Sequence, residues 1–224
     1  MLNFLTDYQQ AFFIKILLPA FSATFQMLIV STLISSVSGF LVAVMLVITN
    51  KGGMLENKFF YSILSFLVNV IRSFPFIILV VFILPFTKQV VGTSIGVKAA
   101  IVPLVVAATA FIAKIIENSL QEVDKDLIEA MRSFGLTDAQ VIFKVMFSEA
   151  LPSMVSGIIL ATIAILGSTA MAGAVGAGGI GAVALTFGYQ SFNKQVMWLT
   201  VIILIVLVQI IQGIGNFVYR KMKP

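Results

Sequence analysis

The residue types present leave little room for covalent chemistry. Of 224 residues, none is Cys and none is His. That removes disulfides, zinc or haem ligation through these residues, Ser–His and Cys–His nucleophiles, and histidine proton relays. No Gly-Lys pair occurs anywhere, so there is no P-loop, G-x-x-x-x-G-K-[ST], whose backbone amides would cradle nucleotide phosphates. Charge and amide chemistry remain. Six of the nine acidic residues, Glu117, Glu122, Asp124, Asp126, Glu129 and Asp138, crowd one stretch together with Lys125, Arg132 and Lys144. Arg72 stands alone in an apolar run, and Gln209, Gln212, Gly213 and Asn216 share one helical face.

These groups must be positioned by apolar elements. The chain is 60% hydrophobic and 10% charged, with a mean hydropathy of +1.11. Soluble domains carry about 25% charged residues, so a water-soluble enzyme is excluded. A net charge of +5 on so apolar a chain fits membrane topology better than a nucleic-acid partner. A bilayer core about 30 Å thick needs about 20 apolar residues as a helix. Apolar stretches predict five spans, at about 21–48, 59–86, 99–116, 151–171 and 196–218, in one membrane domain covering residues 1–224. The first is too long for a signal-peptide core and reads as a retained helix. Residues 150–193 hold no charge; their second half is rich in Gly and Ala and reads as a loop or a re-entrant segment.

An odd number of spans puts the termini on opposite faces. With the C-terminus inside, the cytoplasmic face carries Lys51, Lys58, Lys114, Lys125, Arg132, Lys144, Arg220, Lys221 and Lys223. The outer face carries Lys15, Lys88, Lys98 and Lys194. The excess of basic residues inside predicts an N-out, C-in, all-α integral membrane protein.

The acidic stretch, about residues 117–145, is then a cytoplasmic loop. Asp124 reads as an N-cap, and Leu127, Ile128, Met131 and Phe134 fall on one face of a short helix. Gly135 follows where a left-handed C-cap would end it. Thr137, with Gln140 three residues on, matches a capping box that opens the next helix. Such a helix either lies on the membrane surface as an anchor or docks a cytoplasmic partner.

Glu129-Ala130-Met131, three residues, Gly135 and a hydrophobic stretch ending Leu151-Pro152 resemble the EAA loop of ABC importer permeases. The loop's second Ala is Met131 here, and Val145, Phe147 and Ser148 replace its Ile, Leu and Pro. Arg72-Ser73-Phe74-Pro75-Phe76, the segment Val91 to Gly96 and the segment Ala170 to Gly181 resemble the methionine-import permeases. The resemblance implies a type I importer permease working as a homodimer. Its partners would be two P-loop ATPase subunits in the cytoplasm, binding ATP and Mg that this chain does not bind, and an extracytoplasmic substrate-binding lipoprotein. It places the chain in a bacterial cytoplasmic membrane. Coupling to the ATPases would run through Leu127, Ile128, Glu129, Ala130, Met131 and Gly135.

Residues able to line a path come next. Ser31, Ser35, Gly39 and Ala43 repeat every four residues, and Gly157, Ala161, Ala164, Ser168 and Ala172 at three or four. Such faces serve close helix packing or a substrate lining. Met171 is long and soft among small neighbours; it reads as a packing methionine or, by the resemblance, as part of a gate. Arg72, with Pro75 behind it, is expected inside the protein near a kink at about Ile71, or on a tilted interfacial helix. The pathway candidates are therefore Met171, Arg72 and Ser168. The leading expectation is an importer permease for an amino acid, methionine by resemblance, with no catalysis of its own. The alternatives are a permease for another small amino acid or peptide, and a self-sufficient secondary transporter or channel. The latter usually carries carboxylates within its spans, and here Glu117 and Glu149 are expected only at span ends. An intramembrane enzyme lacks its nucleophiles.

The topology is testable without background, since the chain contains no Cys. Single cysteines replacing Lys51, Asp126 and Lys221 should be shielded from an impermeant thiol reagent in intact cells, and one replacing Lys194 should react. Labelling of the Asp126→Cys variant from outside would overturn N-out, C-in.

Overall fold

Long charge-free runs give long helices. The structure, a computed structural model, describes residues 11–222; residues 1–10 and 223–224, and with them the charge of Lys223, lie outside. The described residues hold α1 (Phe13–Thr49), opening with a π-helical turn over Phe13–Leu17, α2 (Lys58–Ser73), α3 (Phe76–Phe82) and α4 (Leu84–Val91). They continue with α5 (Val97–Gln121), α6 (Lys125–Ser133), α7 (Asp138–Ala174), α8 (Gly179–Val183, running on as a π-helical stretch to Gln190) and α9 (Lys194–Met222). Four of these, α1, α5, α7 and α9, are long and apolar enough to cross a membrane, and α2 with α3 makes a fifth if the bent pair counts as one span.

That pair corrects the expectation of one continuous stretch over 59–86. The chain turns by 108° between α2 and α3. The residue before a proline is pushed out of the helical region, and Phe74 is extended at φ −72°, ψ 130°. α2 therefore ends at Ser73 instead of carrying Pro75 inside it and kinking at Ile71. Pro75 itself stands at the N-cap of α3, where its missing N–H costs nothing.

The described residues form two compact units. The first comprises the described residues up to Leu33, Pro75–Val105 and Thr162–Ile211, and the second Ile34–Phe74, Val106–Ala161 and the described residues from Gln212 on. In the first unit, Leu17, Ala20, Val183 and Val196 form a buried cluster. The Gly- and Ala-rich segment is helical here: α8 lies on the end of α7, with Gly181 over the backbone of Ala170 and Gly173 over that of Ala182. A Cβ at Gly181 would fall on the Ala170 main chain, so only glycine permits this approach. Gly178, the N-cap of α8, offers no side chain to its first turn. The Thr24 hydroxyl of α1 does so instead, accepting from the Ile180 N–H at 2.9 Å. The turn between α7 and α8 is also tied, Gly96 N–H donating to the Gly176 carbonyl at 3.0 Å.

In the second unit, Ala43, Val47, Ile112, Ile116, Leu120, Val123, Ala150 and Met154 pack together. Leu46, Val68 and Ala110 seat α2 against α1 and α5. Ser38 and Thr109 share a hydrogen bond at 2.6 Å, and Ser119 and Ser153 one at 3.0 Å. Ser31, Ser35, Gly39 and Ala43 are all buried, so the small-residue face of α1 serves close packing.

Replacing Thr24 with Val keeps the shape of a side chain that is 1% exposed but leaves the Ile180 N–H without a partner. The loss should cost about 1–3 kcal/mol. Thermal unfolding of the purified protein should fall by several degrees for Thr24→Val and stay near wild type for Thr24→Ser.

Candidate coupling surface and translocation face

The charged stretch folds as its local signals dictate. Asp124 caps α6, its Oδ1 accepting from Asp126 N–H at 2.8 Å. Phe134 and Gly135 end the helix, and Gly135 is left-handed at φ +87°. Gly135 N–H donates to the Arg132 carbonyl at 2.9 Å and Leu136 N–H to that of Met131 at 3.3 Å, which satisfies carbonyls a helix end leaves open. Thr137 then opens α7 in a reciprocal capping box: Thr137 N–H donates to Gln140 Oε1 at 2.9 Å, and Gln140 N–H to Thr137 Oγ1 at 3.4 Å. An ion pair from Arg132 Nη2 to Asp138 Oδ1, 2.9 Å, spans the glycine turn. Both partners are half-exposed, so the pair orients more than it stabilises.

The face that α6 turns inward was anticipated only in part. Leu127 and Ile128, each partly buried, pack onto the protein's own core beside Leu120 and Val123. Met131 is half-buried. Outward stand Glu129, Ala130 and Phe134, the last 79% exposed. Phe134 is the large apolar side chain exposed on that side of α6. One flank of α6 borders an open cavity of about 500 Å³ whose wall carries Lys51, Lys125, Glu129 and Arg132.

A second polar centre was missed. The expected third span ended at Ile116, which left Glu117 at a boundary. The helix instead runs on to Gln121, and Glu117 is 0% exposed. Its Oε1 accepts from the Tyr61 hydroxyl at 3.0 Å and from Gln121 Nε2 at 3.1 Å. Its Oε2 accepts from Lys114 Nζ at 2.9 Å. Lys114 and Gln121, three and four residues away along α5, are legible as helix neighbours; Tyr61, on α2, is not.

The pathway candidates part company. Along α7, Ala161 and Ala172 are buried, and Ser168 is half-buried with its hydroxyl on the Ala164 carbonyl at 3.0 Å. Ala164, Gly167, Met171 and Ala174 form the exposed face, at spacings of three and four. Met171, 53% exposed, is the one large side chain among them. Arg72, read either as inside the protein near a kink or on a tilted interfacial helix, is exposed at the end of α2, with Asn69 Oδ1 at 3.5 Å as its hydrogen-bond partner. α2 buries Val68 alone, so its polar end is left open. Gln209, Gln212 and Asn216 are exposed along α9 and make no side-chain hydrogen bond among the described residues.

Apolar spanning helices, with a capped amphipathic helix set at a glycine turn outside them, define a membrane transport permease. More narrowly, the chain belongs to the family of binding-protein-dependent transport system inner membrane components, whose profile matches residues 47–224. It is 43% identical over 174 residues, 78% of each chain, to the methionine import system permease protein of Bacillus subtilis. It is 42% identical over 206 residues, 92% of each chain, to a probable D-methionine transport system permease protein of Vibrio cholerae. A chain of the MetNI methionine ABC transporter in an inward-facing conformation superimposes with a TM-score of 0.89 at 42% identity, covering 94% of this chain and 98% of that one. A chain of an amino acid ABC transporter crystallised with histidines shares the fold, with a TM-score of 0.79 at 20% identity over 97% and 96%.

The two faces of α6 should separate by mutation. Leu127→Ala should lower the thermal stability of the purified chain by about 1–2 kcal/mol, a core truncation discounted for half-burial. Phe134→Ala, on the exposed side, should leave it unchanged.

Proposed function

We propose that this chain is the transmembrane subunit of an ATP-driven importer that carries an amino acid, methionine foremost, inward between two copies of itself. Two P-loop ATPases would sit on the cytoplasmic side, binding ATP and Mg, and a substrate-binding lipoprotein on the outer side. The observation that carries this reading is α6: a capped, outward-facing helix presenting Glu129, Ala130 and Phe134, held at a fixed angle by Gly135. Methionine as the substrate is supported by the likeness to the relatives of that name. N-out, C-in places α6 in the cytoplasm.

An isolated helix below about 12–15 residues is marginal in water, and α6 has nine. Its own core steadies the Leu127–Ile128 side. A groove on each ATPase would cover the other, with Phe134 as anchor, since aromatic side chains dominate interface energies. The six acidic residues of the stretch disfavour an anionic membrane surface as the host. Because Leu127 and Ile128 grip the same core as Leu120 and Val123, ATPase closure would displace α6 and the end of α5 together. Substrate would pass along the open face of α7, where two copies of Met171 meeting on a two-fold axis would form the gate, with Ser168 at its margin.

The test is reconstitution of the permease with its ATPase and binding protein in vesicles, measuring labelled methionine uptake and ATP hydrolysis on one preparation. Uptake should require ATP and the binding protein, and methionine should compete better than other amino acids. Gly135→Val should strain the turn by about 1–2 kcal/mol and lower transport far more than hydrolysis. Glu129→Lys should weaken docking by a similar order, about 1–2 kcal/mol, through its reversed charge. If both leave transport per ATP unchanged, α6 is an anchor and the coupling reading falls.

A further inference from the structure

Glu117 is a carboxylate with no exposed surface in a protein whose other described acids are all exposed. Ionisable groups inside membrane proteins are costly and tend to be functional. Nothing derived so far for transport uses it. It lies outside the motif of α6 and touches neither the exposed face of α6 nor the open face of α7.

Its place in the fold carries the inference. Glu117 sits on the last turns of α5, which ends at Gln121; Asp124 then caps α6. Leu120 and Val123, flanking that junction, pack in one cluster with Leu127 and Ile128. The end of α5 and the coupling helix are thus one mechanical piece. On the other side stands α2, seated on α1 and α5 by Leu46, Val68 and Ala110. Such apolar contact is non-directional and allows sliding. The Tyr61–Glu117 bond at 3.0 Å is directional and, with a charged acceptor, stronger than a neutral one. Tyr61 is in the first turn of α2, and Asn69, Arg72 and Ser73 form its exposed polar end.

We propose that Tyr61 and Glu117 are positioning residues for energy coupling: their hydrogen bond makes α2 follow the coupling helix, so that displacement of α6 is delivered to the end of α2 that carries Arg72. Lys114 and Gln121 hold the carboxylate in place on α5. The proposal rests on the importer reading, and it assigns the work to the hydrogen bond itself, not to the charge. An amide at 117 therefore suffices, because its oxygen still accepts from the Tyr61 hydroxyl.

The experiment uses the complete reconstituted complex, with uptake, ATP hydrolysis, subunit assembly and thermal stability measured on the same samples. Tyr61→Phe removes the link while leaving Glu117, Lys114 and Gln121 in place. It should assemble and hydrolyse ATP like wild type while transport per ATP falls about tenfold, the worth of one hydrogen bond. Glu117→Gln should retain coupling to within about threefold, well inside that tenfold step, and Glu117→Leu should reproduce Tyr61→Phe. Should Glu117→Leu not fold, the other two variants decide. Wild-type transport per ATP in Tyr61→Phe overturns the proposal. So does a loss of uptake and hydrolysis in step with a fall in stability, the mark of a merely structural bond. So does Glu117→Gln uncoupled as far as Tyr61→Phe, which would assign the role to charge. The controls separate the two readings: wild-type uptake driven by ATP, with Glu129→Lys impaired, upholds the importer whatever Tyr61→Phe does, whereas no ATP-dependent uptake in wild type removes the importer reading and this proposal with it.

Discussion

Hydrocarbon offers no hydrogen bonds, so a chain that leaves the helix inside it must supply partners for every freed N–H and C=O. The breaks in this protein are arranged around that constraint. The bend after Ser73 puts Pro75, which has no N–H to lose, at the start of α3. The turn after α7 is closed by local bonds from Val175, Gly176 and Ala177 and by the link from Gly96. The first turn of α8, uncapped by its own N-cap glycine, borrows the Thr24 hydroxyl. Small residues then let the pieces close up, Gly181 against Ala170 in the first unit and Gly39 against Ile112 in the second.

The same scarcity explains the two polar centres. Outside the apolar runs, charges are cheap and short signals dominate: an aspartate cap, a glycine turn and a capping box set α6 and the start of α7 between Asp124 and Gln140. Inside, a single carboxylate needs three donors. Glu117 has them from Tyr61, Gln121 and Lys114. The exposed Arg132–Asp138 pair and the enclosed Glu117 cluster thus represent opposite uses of ionic contact, one orienting a turn, the other joining helices.

What could be read in advance divides by distance along the chain. Asp124, Gly135 and Thr137 with Gln140 act on neighbours a few residues away, and the geometry matches their sequence signals. The apolar stretches marked α1, α5, α7 and α9, since each buries or exposes some 20 consecutive residues. The bend was half-legible: Pro75 announced a break, but not that Phe74 would go extended and end α2 cleanly. The orientation of α6 was not legible, because Leu127, Ile128, Met131 and Phe134 share a helical face in projection, and only the core of Leu120 and Val123 decides which of them turn inward. Position and Pro75 left Arg72 either inside near a kink or on a tilted interfacial helix; it is exposed at the end of α2, where its nearest partner is Asn69, one turn back. Glu117 was passed over because charge was taken to mark the end of a span, and its decisive partner is 56 residues away. Family resemblance reached what periodicity could not, namely the transport class, since that lies in motifs whose partners are other chains.

The Thr24–Ile180 bond joins residues 156 apart, and that separation has a consequence for biogenesis. At about 5–20 residues per second, the ribosome finishes Thr24 roughly 8–30 s before Ile180. During that interval the capping hydroxyl of Thr24 is unclaimed by α8. Until it reaches that hydroxyl the Ile180 N–H lacks its partner, so the first turn of α8 gains its full stability only once α1 is beside it. The order of synthesis is therefore also an order of assembly: the earliest helix is the template on which the late, glycine-rich hairpin is completed.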